Sequence, residues 1–133
     1  MKVLVRIALA SLFSCKPSKG GLEKQVQTLE LFYISWACDC ANWAIASDLS
    51  KYEGDELDDH CVYIEPASPS VALPDSIGYS SDRVRFTGQF YTNKGFPEGY
   101  SSHENPEPAR VFRYMSFQIL QSNAAEAKRL NAP

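Results

Sequence analysis

Residues 83–90 constrain the fold of this chain more than any other segment. Apolar residues or glycine occupy every second position of this run, namely Val84, Phe86, Gly88 and Phe90. A period of two is typical of a β-strand that buries one face. Turn-forming residues at 93–95 then interrupt the pattern, so the strand is expected to end before them.

Three further segments are predicted to be strands. Residues 61–64 form a short apolar run that Pro66 ends, and residues 111–120 are rich in aromatic and β-branched side chains. Residues 26–36 are the longest candidate, and their apolar side chains change face midway. Such a change predicts a β-bulge, or a strand that crosses between two sheets.

The segments between these strands carry weaker signals. Residues 42–53 fit either a helix capped by Asn42 or a short strand followed by a loop, and the second interpretation is favoured. Residues 48–59 are rich in acidic side chains and are expected to form a solvated loop. Short helical turns are predicted near residue 72 and in the C-terminal tail, residues 123–133.

Taken in order, these segments give five strands with a short helix between the third and the fourth. This order resembles that of the OB-fold, a small, partly open β-barrel. The mainly β domain is expected to span residues 24–122. The resemblance implies that loops between its strands carry a ligand, and residues 96–102 are the preferred candidate. Another small β-barrel or a β-sandwich is the alternative fold.

The first fifteen residues have the layout of a secretory signal peptide. Lys2 and Arg6 supply positive charge, residues 7–13 are apolar, and a small residue precedes Cys15. The apolar stretch is too short to span a bilayer permanently. Secretion without an anchor, or a buried first strand over residues 3–13, are the alternative interpretations.

The end of this segment, Leu12-Phe13-Ser14-Cys15, resembles the lipobox of bacterial lipoproteins. The resemblance implies that residues 1–14 are removed as a signal peptide. It also implies that Cys15 is lipidated, with acyl chains such as palmitate holding it to a membrane. Residues 15–23 then comprise the lipidated cysteine and a flexible, polar tether. The domain is therefore expected outside the cytoplasm, anchored in the bacterial cell envelope.

The four cysteines, at positions 15, 38, 40 and 61, give the most specific chemical predictions of the sequence. If Cys15 holds lipid, three remain in an oxidising compartment. Within one strand, Cys38 and Cys40 would have Cα atoms about 6.6 Å apart, which favours a disulfide from one of them to Cys61. That bridge would stabilise the fold by roughly 2–4 kcal/mol. Two alternatives stay open: buried, reduced thiols, or a zinc or copper site that also uses His60.

A binding surface is predicted beside the strand at 83–90. It comprises Arg83, Arg85 and Tyr91 on the polar face of the strand and Phe96 and Tyr100 in the following loop. Aromatic and arginine side chains suit stacking on a sugar, a peptide or another protein. The alternative is a solvated outer face on which the arginine stems cover apolar neighbours.

Composition and motifs disfavour several classes of function. The chain has 13 Lys and Arg against 16 Asp and Glu, for a formal net charge of −3, so a nucleic-acid partner is not expected. Residues 101–104, Ser-Ser-His-Glu, have the residue types of a catalytic triad, but sequence neighbours cannot adopt its geometry. No Gly-x-Ser-x-Gly motif is present.

We therefore expect a membrane-anchored extracytoplasmic lipoprotein with a non-catalytic binding or accessory role. Its partner is a protein or a glycan, and no cofactor is implied. One alternative is a thiol-based zinc or copper binding protein that uses Cys38, Cys40, Cys61 and His60. A second is an inhibitor that inserts a loop into a secreted hydrolase.

Overall fold

The computed structural model describes residues 18–124, and every structural statement below refers to them. The strands are β1 (Gln27–Tyr33), β2 (Trp43–Ile45), β3 (Tyr63–Pro66), β4 (Arg83–Phe90) and β5 (Val111–Gln121). One α-helix, α1 (Gly54–His60), and two 3-10 turns, Ala46–Asp48 and Pro69–Val71, connect them. The predicted signal peptide, Cys15 and nearly all of the predicted helical tail lie outside the described residues.

The five strands form one mixed sheet that curves into a barrel. Their order is β2-β1-β4-β5-β3, with β3 and β5 parallel and the other neighbours antiparallel. A single antiparallel bridge between Trp43 and Val62 joins the two outer strands, with N···O distances of 3.3 and 2.8 Å. The predicted mainly β, partly open small barrel is therefore confirmed.

The barrel interior is filled by inward-facing side chains from every strand. Its buried members are Leu31, Trp43, Val62, Val84, Phe86, Phe90, Phe112 and Tyr114. The Trp43 ring meets the rings of Tyr33 and Phe86 edge-on, with centroids 5.3 and 5.5 Å apart. Three of the four alternating residues of β4 are buried apolar side chains in this core, which confirms the strand that the period of two predicts.

β5 is shifted in register against β4 at two places, once at Leu120 and once, by a β-bulge, at Met115. Gly88 pairs with Tyr114 while Thr87 pairs with Ser116, so Met115 is an extra residue in the ladder. The bulge predicted within residues 26–36 is wrong, because β1 pairs with β4 in regular register up to Phe32. The apolar residues change face there because the strand ends at Tyr33 and the chain turns.

The short helical turn predicted between β3 and β4 is present as a 3-10 turn, Pro69–Val71, and Pro74 follows closely. The α-helix Gly54–His60 was not predicted, and it overlaps the acidic segment, residues 48–59, that was expected to be a loop. Acidic side chains in its first turn favour the helix because they interact with the positive end of its dipole. Residues 42–53 contain β2 and the turn Ala46–Asp48, which confirms the favoured strand-then-loop interpretation.

A second apolar layer covers the outer face of β2, β3 and β5. Ala44, Tyr63 and Val111 point outward from these strands and are buried beneath Leu57 of α1 and the long loops. The partly buried residues of this layer are Ile34, Trp36, Tyr52, Tyr91, Phe96, Tyr100 and Ala109. The loops around this face are therefore packed parts of the domain.

Residues 19–23 pair with the end of β4 and the residues that follow it, 90–93. The Asn93 N–H donates to the Lys19 carbonyl at 3.0 Å, and the Thr92 N–H donates to the Gly21 carbonyl at 2.9 Å. Leu22 and Tyr91 form an antiparallel bridge. The packed body thus includes residues that the sequence analysis assigned to the tether. Between residues 18 and 124, no helix has the length and hydrophobicity to cross a membrane.

Candidate functional site

Three chain segments meet at one end of the barrel and form what we call the loop rim. They are the β1–β2 loop (residues 34–42), the end of α1 with the following cysteine (residues 58–61) and the β4–β5 loop (residues 91–110). A cavity of about 810 Å³, the rim cavity, lies between them. The side chains that line it include Cys38, Cys40, Asp58, His60, Glu104 and Arg110.

Asp39 connects the two long loops of the rim. Its backbone N–H donates to Glu104 Oε2 at 2.7 Å, and its Oδ2 accepts from Ser102 Oγ at 2.8 Å. The Tyr100 hydroxyl donates to the Asp39 carbonyl. The sequence analysis missed this residue, whose one local signal is its place between two cysteines. Ser102 and Glu104, noted above for their residue types, thus hold the loops together, and His103 is exposed.

The disulfide joins Cys38 to Cys40, whose Cα atoms are 5.3 Å apart. The predicted bridge from one of these residues to Cys61 is therefore wrong. The prediction assumed a strand, in which the Cα spacing would be about 6.6 Å. Both cysteines instead lie in a turn after β1, where the chain is less extended. Their separation falls within the usual range for a disulfide.

Cys61 is the free cysteine of residues 18–124, and it is buried in the outer apolar layer. Burial raises the pKa of its thiol to about 11, although the Trp36 indole acts in the opposite direction. Asp58 and Asp48 raise this pKa further. The thiol is therefore protonated at neutral pH, which makes it a poor nucleophile and a poor metal ligand.

The four predicted metal ligands border the same cavity but do not form a ligand set. Cys38 and Cys40 are bonded to each other. The His60 ring stacks on Tyr52 with centroids 3.8 Å apart, and its Nδ1 lies 2.8 Å from the Glu56 carbonyl. Throughout the described part of the chain, no group of three or more His, Cys, Asp or Glu side chains is placed to hold a metal ion.

The rim cavity carries more negative than positive groups. Its acidic members are Asp48, Asp58, Asp59, Glu104 and Glu107, and its basic members are Lys94 and Arg110, with His60 beside them. Burial raises the pKa of the Asp58 carboxyl, and the charges of Asp59 and Asp55 raise it further. The end of α1 that borders the cavity is therefore a region of negative potential.

The predicted binding surface divides into two separate parts. Arg83 and Arg85 lie on the outer face of the sheet, with nitrogen atoms 3.3 and 4.0 Å from the Glu30 carboxylate. Arg85 also donates to Gln118 Oε1 at 3.2 Å. Tyr91 lies six residues beyond Arg85, roughly 20 Å along an extended strand. The two arginines therefore belong to a solvated outer face and do not reach the loop rim.

The aromatic members of that surface lie at the rim and are half-buried. The Phe96 and Tyr100 rings stack with centroids 5.0 Å apart and an interplanar angle of 10°. Both rings also contact Tyr63, at centroid distances of 5.8 and 5.4 Å. These two side chains thus pack on the domain instead of projecting from it as an inserting loop would require.

A second concave surface, the aromatic groove, lies between residues 18–20 and residues 96–106. Its volume is about 850 Å³. Apolar side chains line one part of it, and small polar residues of the β4–β5 loop line the rest. The residues that line it include Lys19, Phe96, Pro97, Tyr100 and Ser101.

Beside this groove, Glu65 is a buried carboxylate with three donors, one from the N-terminal segment and two from the β4–β5 loop. It forms an ion pair with Lys19, accepts from the Tyr91 hydroxyl, and accepts from the Glu98 N–H at 2.7 Å. Burial raises the pKa of Glu65, but these donors lower it by more, so the net pKa lies below its ordinary value. The sequence analysis missed Glu65 because its partners are distant along the chain.

Comparisons with protein-family models, curated proteins and solved structures gave no match. The likeness to an OB-fold therefore rests on strand order and pairing. OB-folds bind ligands on the outer face of strands 2 and 3 and with the loops beside it. In this protein the outer layer covers that face, and the loop rim is the part of the region that keeps a cavity.

Proposed function

We propose that this protein is a membrane-anchored, extracytoplasmic lipoprotein whose OB-like domain binds a partner at the cell envelope through the rim cavity. The observation that carries the binding role is the convergence of two long loops and the end of α1 around one cavity. The signal-peptide layout and the lipobox-like Leu12-Phe13-Ser14-Cys15 support the lipid anchor and the location outside the cytoplasm. The role is non-catalytic and needs no cofactor.

The geometry of the rim suits binding. A volume of about 810 Å³ lies within the range of roughly 300–1,000 Å³ that ligand pockets occupy. Asp39 holds the two loops together through its backbone and its carboxylate. Loops that are fixed before binding lose little conformational freedom when a ligand arrives, so more of the contact energy appears as affinity.

The charges of the cavity favour a protein partner with basic side chains over a neutral glycan. Five acidic residues border it, including Asp59 and Glu107, against two permanently basic ones. Complementary charge raises both the association rate and the selectivity for such a partner. A neutral glycan would gain nothing from this excess, so charge substitutions would leave its affinity unchanged.

Calorimetric titration of the full-length protein in detergent tests this proposal. The probes are a short lysine- and arginine-rich peptide, an acidic peptide of equal length and a neutral oligosaccharide. In Asp59→Asn/Glu107→Gln, affinity for the basic peptide should fall about 2- to 30-fold, since each exposed pair contributes roughly 0.2–1 kcal/mol. The matched control, Glu53→Gln/Asp75→Asn, removes the same charge at exposed positions outside the cavity and should bind as the wild type does.

Three outcomes would change the assignment. Oligosaccharide binding that both double variants retain would make the partner a glycan. Equal loss in both double variants would place the binding outside the rim cavity. If Cys15→Ala stays in the membrane fraction, or if wild-type Cys15 carries no lipid mass, the anchor is refuted.

A further inference from the structure

A buried ion pair fixes the residue at which the N-terminal segment meets the barrel. Glu65 is 5% exposed, and a carboxylate at such a position is costly unless it is paired and hydrogen-bonded. Lys19 is the cationic partner, and its ammonium group also lies 4.4 Å from the centre of the Tyr91 ring. The pair joins the start of the described chain to β3, 46 residues away.

The backbone beside Lys19 is confined as closely as its side chain. A Cβ added to Gly95 would lie 2.8 Å from the Lys19 Cβ, so only glycine permits this approach. Gly20 has φ +72°, and a Cβ there would lie 2.3 Å from Thr92 Oγ1. Contacts on both sides of the segment therefore determine the position of residue 19.

The distance from this fixed point to the proposed anchor is short. Cys15 precedes Lys19 by four residues, which span at most about 14 Å when fully extended. A domain of about 100 residues has a radius of gyration of about 13 Å, and hence a diameter of more than 30 Å. Four residues cannot reach around such a body, so the face that contains Lys19 must lie nearest to the lipidated cysteine.

We propose that the Lys19–Glu65 pair, together with the short connection from Lys19 to the lipidated Cys15, holds the aromatic groove against the lipid headgroup surface of the membrane. This inference rests on the proposed lipidation of Cys15. The groove begins at residues 18–20 and is lined by Phe96, Pro97 and Tyr100, and tyrosine, an amphipathic aromatic residue, is enriched at the membrane–water interface. The end of the barrel that contains Arg83 and the preceding loop then faces away from the membrane.

Fluorescence quenching in lipid vesicles tests the orientation. Single cysteines introduced as Ser101→Cys in the groove and Asp75→Cys at the opposite end are labelled with an environment-sensitive fluorophore. Both positions are exposed, while the native Cys38 and Cys40 are disulfide-bonded and Cys61 is buried. A nitroxide on the lipid headgroup should quench the label at residue 101 several-fold more than the label at residue 75.

Two variants distinguish the effect of the Lys19–Glu65 ion pair from the effect of the lipid anchor. Lys19→Ala removes the ion pair but not the backbone hydrogen bonds of residues 19 and 21, so this variant should stay on the vesicles with a reduced difference in quenching. Lys24→Ala removes an exposed charge and should keep the full difference. An insertion of about ten Gly and Ser residues after Cys15 adds roughly 17 Å of reach. It leaves the ion pair intact and should abolish the difference, so the test does not depend on whether Lys19→Ala folds.

The outcomes distinguish the two proposals. If the wild type does not sediment with vesicles, the proposed anchoring fails. If it sediments and the two labels are quenched equally, or the label at residue 75 is quenched more, the proposed orientation is overturned while the anchor stands. Retention of the quenching difference after the Gly/Ser insertion would also overturn the proposal, because a long flexible linker cannot impose an orientation on the domain.

Discussion

Substituting Gly88 by alanine tests the central register of the barrel. A Cβ at this position would lie 2.0 Å from the Arg113 carbonyl oxygen and 2.7 Å from the Tyr114 Cα, both backbone atoms of β5. An ordinary carbon–oxygen contact is about 3.3 Å, so the two strands would have to separate by roughly 1.3 Å. The bulge at Met115 is where β5 comes this close to Gly88.

The expected loss of stability follows from that separation. Two weakened ladder hydrogen bonds cost about 1 kcal/mol each, and forcing a methyl group into a packed site adds roughly 1–3 kcal/mol. Alanine also restricts the unfolded chain, which returns about 0.4–1 kcal/mol. The net decrease in the unfolding free energy of Gly88→Ala is therefore about 2–5 kcal/mol.

Urea unfolding followed by tryptophan fluorescence measures this decrease. A loss of about 3 kcal/mol with a slope of about 1.5 kcal/mol per molar lowers the midpoint by roughly 2 M. Gly21→Ala is the matched control, because nothing lies within 4 Å of its added Cβ, and it should change stability by less than about 0.5 kcal/mol. A loss in Gly88→Ala no greater than in this control would refute the register described here.

Three further predictions concern ionisation and the cysteines. Donors hold the pKa of Glu65 below its ordinary value of 4.5, so its contribution to stability is present above that pH and is lost as pH falls through the folded-state pKa. Urea unfolding at several pH values should show this decline, and an equal decline in Glu65→Gln would contradict it. The pKa of Cys61, raised by burial to about 11, predicts that iodoacetamide modifies its peptide only after unfolding. Mass mapping checks this, and modification in the native protein would be evidence against it. Cys38 and Cys40 are two positions apart, so reduction should cost only roughly 1.5 kcal/mol, against roughly 3 kcal/mol for a bridge to Cys61. A loss of the larger size in urea unfolding would count against the observed pairing.

The strands were predictable because a period of two records directly which face is buried. In β4 the alternation predicts that Val84, Phe86 and Phe90 face the core, and all three are buried. The bulge at Met115 was missed because residues 111–120 were taken as one regular strand, although the polar Ser116 interrupts the apolar and aromatic run there. The helix Gly54–His60 was hidden because only Leu57 is buried in it, and one apolar residue cannot show a helical period.

The candidate site was less predictable than the fold. Asp39 and Glu65 contact residues at least 26 positions away, and pairing at that range leaves no local pattern. The disulfide was mispredicted because the expected distance assumed extended backbone at residues 38–40, whereas β1 ends at Tyr33 and the chain bends at these residues. The aromatic residues Phe96 and Tyr100 of the β4–β5 loop border a concave surface, and their contact with Tyr63 depends on the outer layer.

The narrow closure of the barrel has a consequence for self-association. Open strand edges expose peptide groups that can recruit a second chain and begin aggregation. Here the two outer strands have only three and four residues, and the longer one ends in Pro66, which has no N–H to donate. Few unpaired peptide groups are left for another molecule, so crowding many copies together should not convert the domain into intermolecular sheet.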